Sequence, residues 1–132
     1  MTKPVLFAVD DQTQDRETLQ RELDKRYAAD YDIICEHSPS AALQRLATLQ
    51  AAGTPVIMLL AAAQMAEMTG IDYLAQAHEL YPRTRRVLLI PWGNRSASRP
   101  LLRAISLGQI DRFVTKPGSS PDEQFHRLIT EL

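Results

Sequence analysis

Val56 to Leu60 is an unbroken apolar run, Val-Ile-Met-Leu-Leu, with Pro55 before it and three alanines after it. A strand that shows no polar alternation has both faces covered, as the central strands of a parallel sheet flanked by helices do. This run therefore sets the fold class. Residues 61 to 69 then read as a loop that ends at Gly70, where helical periodicity begins. In open parallel sheets the chemistry sits just past the carboxyl ends of the strands. Ala61, Ala62 and Ala63 stand at that place.

The neighbouring segments repeat the pattern. Val5 to Val9 is a short apolar run stopped by Asp10-Asp11, and Leu19, Leu23 and Tyr27 lie four apart on a polar helix over 13–27. Asp11 followed by Gln14 predicts a capping box at that helix's start. Ile33 to Glu36 reads as a second strand. Ser38-Pro39 is a capping side chain followed by proline at the first helical position, and Gly53 ends the helix it opens. Ile71, Leu74, Ala75 and His78 form the next helical face, stopped by Pro82. Val87 to Ile90 is a fourth strand, 91–100 an extended loop, Leu101, Leu102 and Ile105 a short helix, and Ile110 to Thr115 an edge strand. Ser120-Pro121-Asp122-Glu123 starts a last helix whose core face is Phe125, Leu128, Ile129 and Leu132. Five strands alternating with five helices predict a parallel, doubly wound α/β sheet in a single domain over 1–132.

Composition excludes several classes of function. A formal net charge of −1 gives no electrostatic case for nucleic acid or a membrane surface. No apolar run approaches the roughly 20 residues that span a bilayer, and Met-Thr-Lys-Pro lacks the pattern of a signal peptide. The single cysteine, Cys35, reads as a small buried side chain in a reducing, cytoplasmic setting. Cys35, His37, His78 and His126 lack metal-ligand spacing.

Several spaced markers together resemble the receiver domains of two-component response regulators. Asp10-Asp11 looks like the family's Mg²⁺-holding acidic pair, and Met65, Met68 and Gly70 match its Met-Pro-x-Met-x-Gly loop with Ala66 in place of proline. Lys116-Pro117 looks like its Lys-Pro signature. The resemblance implies a CheY-like, flavodoxin-like sheet of order 2-1-3-4-5. Met-Thr-Lys-Pro-Val and the stretch at 79–89 are similar to N-terminal regulatory domains fused to larger effector enzymes.

The departures from the family are as informative as the matches. The family's acceptor aspartate stands eight residues before the loop glycine, and that position is Ala62. A methyl group is neither a nucleophile nor a metal ligand, whereas aspartyl-phosphate chemistry needs a carboxylate with a metal and a lysine beside it. Ile90-Pro91 replaces the family's Thr-Ala, and Phe113 holds its aromatic switch position without a hydroxyl.

The expectation is a non-enzymatic receiver-like module, a pseudo-receiver, that works through protein contacts with a signalling partner or a downstream domain of its own. Its partner or homodimer surface is placed on the fourth helix, fifth strand and fifth helix, at Leu101, Arg103, Phe113 and Phe125. No cofactor is expected, and Mg²⁺ only weakly at Asp10 and Asp11. Asp10 and Asp11 otherwise read as helix caps and a partner for Lys116, with Lys116 meeting Asp11 in an ion pair across the empty site. Trp92 is either an anchor or a filler, and Arg83, Arg85 and Arg86, like Arg95, Arg99 and Arg103, read as solvated faces. The alternatives are the regulatory portion of a larger enzyme, such as an oxidoreductase, and a small-ligand sensor at the sheet's switch point.

Overall fold

The unbroken apolar runs become strands because each serves two cores at once. In the computed structural model, which describes residues 3–90, 107–108 and 110–116, the strands are β1 (Val5–Val9), β2 (Asp32–Glu36), β3 (Val56–Ala62), β4 (Arg85–Ile90) and β5 (Arg112–Thr115). The helices are α1 (Thr13–Tyr27), α2 (Pro39–Ala51) and α3 (Gly70–Leu80). All strand pairs are parallel and their order is β2-β1-β3-β4-β5, so β5 is an edge, as its alternation predicts.

Alternate residues of each strand feed opposite layers. Val5, Phe7, Val9, Leu59, Ala61, Leu88 and Ile90 form one core with Ala42 and Leu46 of α2 and Tyr73, Leu74 and Ala77 of α3. Leu6, Ala8, Met58, Leu60, Val87, Leu89 and Val114 form the other with Leu19 and Leu23 of α1. Cys35 packs at the rim of this second core and is half-buried rather than enclosed, because β2 is the other edge of the sheet.

Local signals set two of the helix starts. Ser38 caps α2 by accepting the Ala41 N–H at 3.2 Å with Pro39 next, and Thr69 caps α3 by accepting the Asp72 N–H at 3.2 Å. Gly53 takes φ +74°, the left-handed conformation that ends α2. The expected capping box at Asp11 and Gln14 does not form. The cap residue of α1 is Gln12 with no side-chain bond, and the Asp11 carboxylate accepts the Ala66 N–H instead.

The third strand is longer than its apolar run, since Ala61 and Ala62 pair with Leu88 and Leu89 and belong to β3 rather than to the loop. β4 likewise begins at Arg85. Arg86 is not on a solvated face: its backbone N–H donates to Asp111 at 2.7 Å and its guanidinium to the Gly108 carbonyl at 2.7 Å, leaving its side chain 12% exposed. Arg83 and Arg85 are exposed. The predicted fourth and fifth helices, the 91–100 loop with Trp92 and Arg95, Arg99, Leu101, Arg103 and Phe125 lie outside the described residues.

Candidate functional site

Parallel pairing brings every strand's carboxyl end to one edge of the sheet, and the marked residues gather there. Asp10 follows β1, and its N–H donates to the Glu36 carbonyl at the end of β2. Lys116 follows β5, and its N–H donates to the Ile90 carbonyl at the end of β4 at 2.9 Å. Ala62 ends β3 and is fully buried, at 0% exposure. Beyond it, Ala63 donates to the Leu89 carbonyl at 2.8 Å and accepts the Gly70 N–H at 3.0 Å, so the turn from β3 towards α3 is held at both sides.

Asp10 is 1% exposed and is met from two directions. Its Oδ1 accepts the Gln12 N–H at 3.0 Å, an Asx turn that leads the chain into α1. Its Oδ2 lies 2.9 Å from Lys116 Nζ. The same ammonium donates to Asp15 Oδ2 at 3.0 Å, and Lys116 is only 13% exposed. The ion pair expected between Lys116 and Asp11 is thus replaced by one that joins Asp10, Lys116 and Asp15. Burial alone would lower the Lys116 pKa, but the hydrogen bonds to Asp10 and Asp15 outweigh it and raise it above the usual lysine value.

Asp11 turns the other way. Its Oδ2 accepts the Ala66 N–H at 2.7 Å, while its buried Oδ1 has no hydrogen-bond partner among the described residues. Ala66 stands where the resembled motif has proline, which has no N–H to offer. A second tie holds the same loop, since Ser40 Oγ donates to Glu67 at 2.7 and 3.0 Å. Among the described residues no group of three or more His, Cys, Asp or Glu side chains is placed to hold a metal ion.

The two altered switch positions face inward. Ile90 is part of the core beneath α2 and α3, and Phe113 is half-buried against that core. Of the expected partner surface, Phe113 alone falls within the described residues. An open cleft of about 540 Å³ lies along α1 beside Cys35, lined by Arg16, Gln20, Arg21 and Asp24 among others. It lies on the α1 flank of β2, not at the Ala62 end of β3.

Sequence reasoning missed Asp15, Arg16 and the Ser40–Glu67 tie. Asp15 carried a usable signal, an acidic residue in the first turn of the helix that follows the acidic pair. Arg16 Nη1 donates to the Asp10 carbonyl at 3.0 Å, a bond to the main chain that residue type does not announce.

No family model and no curated protein matches the sequence. Solved structures do. A signal receiver domain of an HD domain-containing protein from Pseudomonas fluorescens Pf-5 is 27% identical, with 97% of this chain and 90% of that one covered at a TM-score of 0.71. The fold is that of a response-regulator receiver domain. An uncharacterized protein from Neptuniibacter caesariensis is similar to this receiver fold at 26% identity, 99% and 88% coverage and a TM-score of 0.77. The Vibrio cholerae chemotaxis protein CheY4 shares the fold at 17% identity, 98% coverage of both chains and a TM-score of 0.73. No helix among the described residues of this receiver fold is long and apolar enough to cross a membrane.

Proposed function

We propose that the chain is a cytoplasmic receiver-type signalling module, one domain over 1–132, that is not phosphorylated at Ala62 and acts through protein contacts. The observation that carries this reading is the buried methyl group of Ala62 at the end of β3, with Lys116 engaged by Asp10 and Asp15. A phosphoryl group needs a nucleophile to accept it and a cation to neutralise it. Here the first is absent from its position and the lysine is already engaged. Ile90 offers no hydroxyl, and its side chain is packed in the core. Any Mg²⁺ at Asp10 and Asp11 is weak in this reading, and no step depends on it. Contact with a partner, a second copy or a downstream domain is assigned to Leu101, Arg103, Phe113 and Phe125.

The test is incubation with Mg²⁺ and acetyl phosphate, or with beryllofluoride, read by intact mass and by amide NMR shifts. The expected result is no adduct and no localised shift at Asp11, Ala62 or Lys116. A phosphoryl adduct would overturn the reading, because another group would then be the acceptor. A second reading, the regulatory portion of a larger enzyme, is favoured by the 27% identical receiver domain, which belongs to an HD domain-containing protein. An open reading frame continuing past Leu132 into an effector domain would support it.

A further inference from the structure

At the carboxyl edge of the sheet Lys116 stands against Asp10 and Asp15, which leaves few carboxylate oxygens for another cation. Asp10 and Asp11 present four carboxylate oxygens. Asp10 Oδ1 accepts Gln12 N–H, Asp10 Oδ2 meets Lys116 Nζ, and Asp11 Oδ2 accepts Ala66 N–H. Asp10 Oδ2 has that ammonium as its one contact and no hydrogen bond, and Asp11 Oδ1 has neither among the described residues. Mg²⁺ demands near-octahedral oxygen coordination and sheds its water reluctantly. One carboxylate oxygen, with an ammonium already on the neighbouring aspartate, does not fit a resident divalent ion. We propose that the ammonium of Lys116, bridging Asp10 and Asp15, is the resident cation of this pocket, and that Asp15 is the positioning residue that holds it there in place of a divalent ion. The proposal rests on the reading of the domain as a receiver-type module that is not phosphorylated, and deepens it.

Four features make the arrangement self-consistent. The lysine's main chain is tied to β4, because its N–H donates to the Ile90 carbonyl, so the side chain extends from a paired strand end. Asp15 sits in the first turn of α1, where the helix N-terminus favours a negative charge. Asp10 is 1% exposed and Lys116 13%, so water screens their contact little. Asp11, the second carboxylate of the pair, is bound to a loop N–H that a proline at 66 would not supply. The bridge ties the end of β5 to the start of α1 across 101 residues of sequence. In this scheme a permanent internal ion pair sits where a regulated one would otherwise form.

The experiment is a Mg²⁺ titration of the full chain followed by amide NMR, with Mn²⁺ line broadening as a second probe and thermal unfolding with and without EDTA as a third. The natural chain is expected to show no saturable shift at Asp10, Asp11, Ala66 or Lys116 and no change of Tm on chelation. Lys116→Met vacates the cation position and is expected to gain a saturable Mg²⁺ response at Asp10 and Asp11. The gain in apparent affinity should be at least about tenfold, equivalent to about 1.4 kcal/mol of removed cation–cation repulsion. Asp15→Asn, which changes no buried residue, should gain an intermediate response, and Asp15→Glu should return it to the natural behaviour. A merely structural Asp15 would alter Tm without altering the Mg²⁺ response. Saturable millimolar binding by the natural chain, or variants no more responsive than it, would overturn the proposal. Mg²⁺ binding without an acetyl phosphate adduct would sink this inference alone, whereas an adduct would sink the functional reading beneath it.

Discussion

Replacing Gly70 with alanine isolates what the glycine at the β3–α3 turn is for. Gly70 does not sit at positive φ, so conformational freedom does not explain it. A Cβ built there collides with the carbonyl oxygen of Ala62, lies 3.0 Å from that carbonyl's carbon and 2.7 Å from Leu88 Cδ1. The side-chain methyl of Leu88 can swing aside. The carbonyl cannot, because Ala62 is in a strand paired with β4 and the following N–H is bonded to Leu89. Overpacking costs about 1–3 kcal/mol, and an immovable main-chain obstacle places this site at the top of that range. Alanine recovers up to about 1 kcal/mol of helix propensity. The net loss is about 2 kcal/mol, or roughly 6–8 °C in Tm for a chain of this size. Urea unfolding followed by far-UV circular dichroism measures it, with the slope unchanged if the native fold persists. A loss below about 0.5 kcal/mol would refute the close-approach reasoning. So would disappearance of the cost in a Leu88→Ala background, which would identify the side chain as the obstacle and not the carbonyl.

Two further outcomes follow from buried polar groups. Tyr73 is fully buried, its hydroxyl has no partner among the described residues, and burial pushes its phenol well above the usual range. Tyr73→Phe is therefore expected to raise stability by about 1 kcal/mol in chemical denaturation, since it removes a desolvated hydroxyl and keeps the ring; a loss of that size would mean that the hydroxyl is hydrogen-bonded. Burial, helped by the nearby Asp24 carboxylate, pushes the Cys35 thiol from 9.0 up to about 12. Iodoacetamide at pH 8 should accordingly label the native chain far more slowly than the chain in denaturant. Because the folded pKa lies above the unfolded one, this thiol's contribution to stability is intact below about pH 9 and is lost as pH rises towards 12. Labelling of the native chain at the denatured rate would contradict both statements.

The sheet and the first three helices were legible in local pattern alone. Val5–Val9 and Thr13–Tyr27 form as the periodicity predicts, and Ser38-Pro39 starts α2 where the capping chemistry places it. These features are local: a run of apolar residues, a four-residue stripe or a capping hydroxyl acts within a few residues of itself. The alanine at the acceptor position was equally legible, because it required only a count from Gly70. Where the charges went was set by the packing of distant segments. Asp11 was available as a helix cap, a metal ligand or a partner for Lys116, and the choice fell to Ala66, 55 residues away. Lys116 turned to Asp15, which no local pattern pairs with it. β3 ran on through Ala61 and Ala62 because β4 supplied hydrogen-bond partners that alanine's weak strand preference could not predict. A carboxylate or an ammonium can meet any opposite charge or polar hydrogen within reach, so its partner is set by which strand ends the fold brings together.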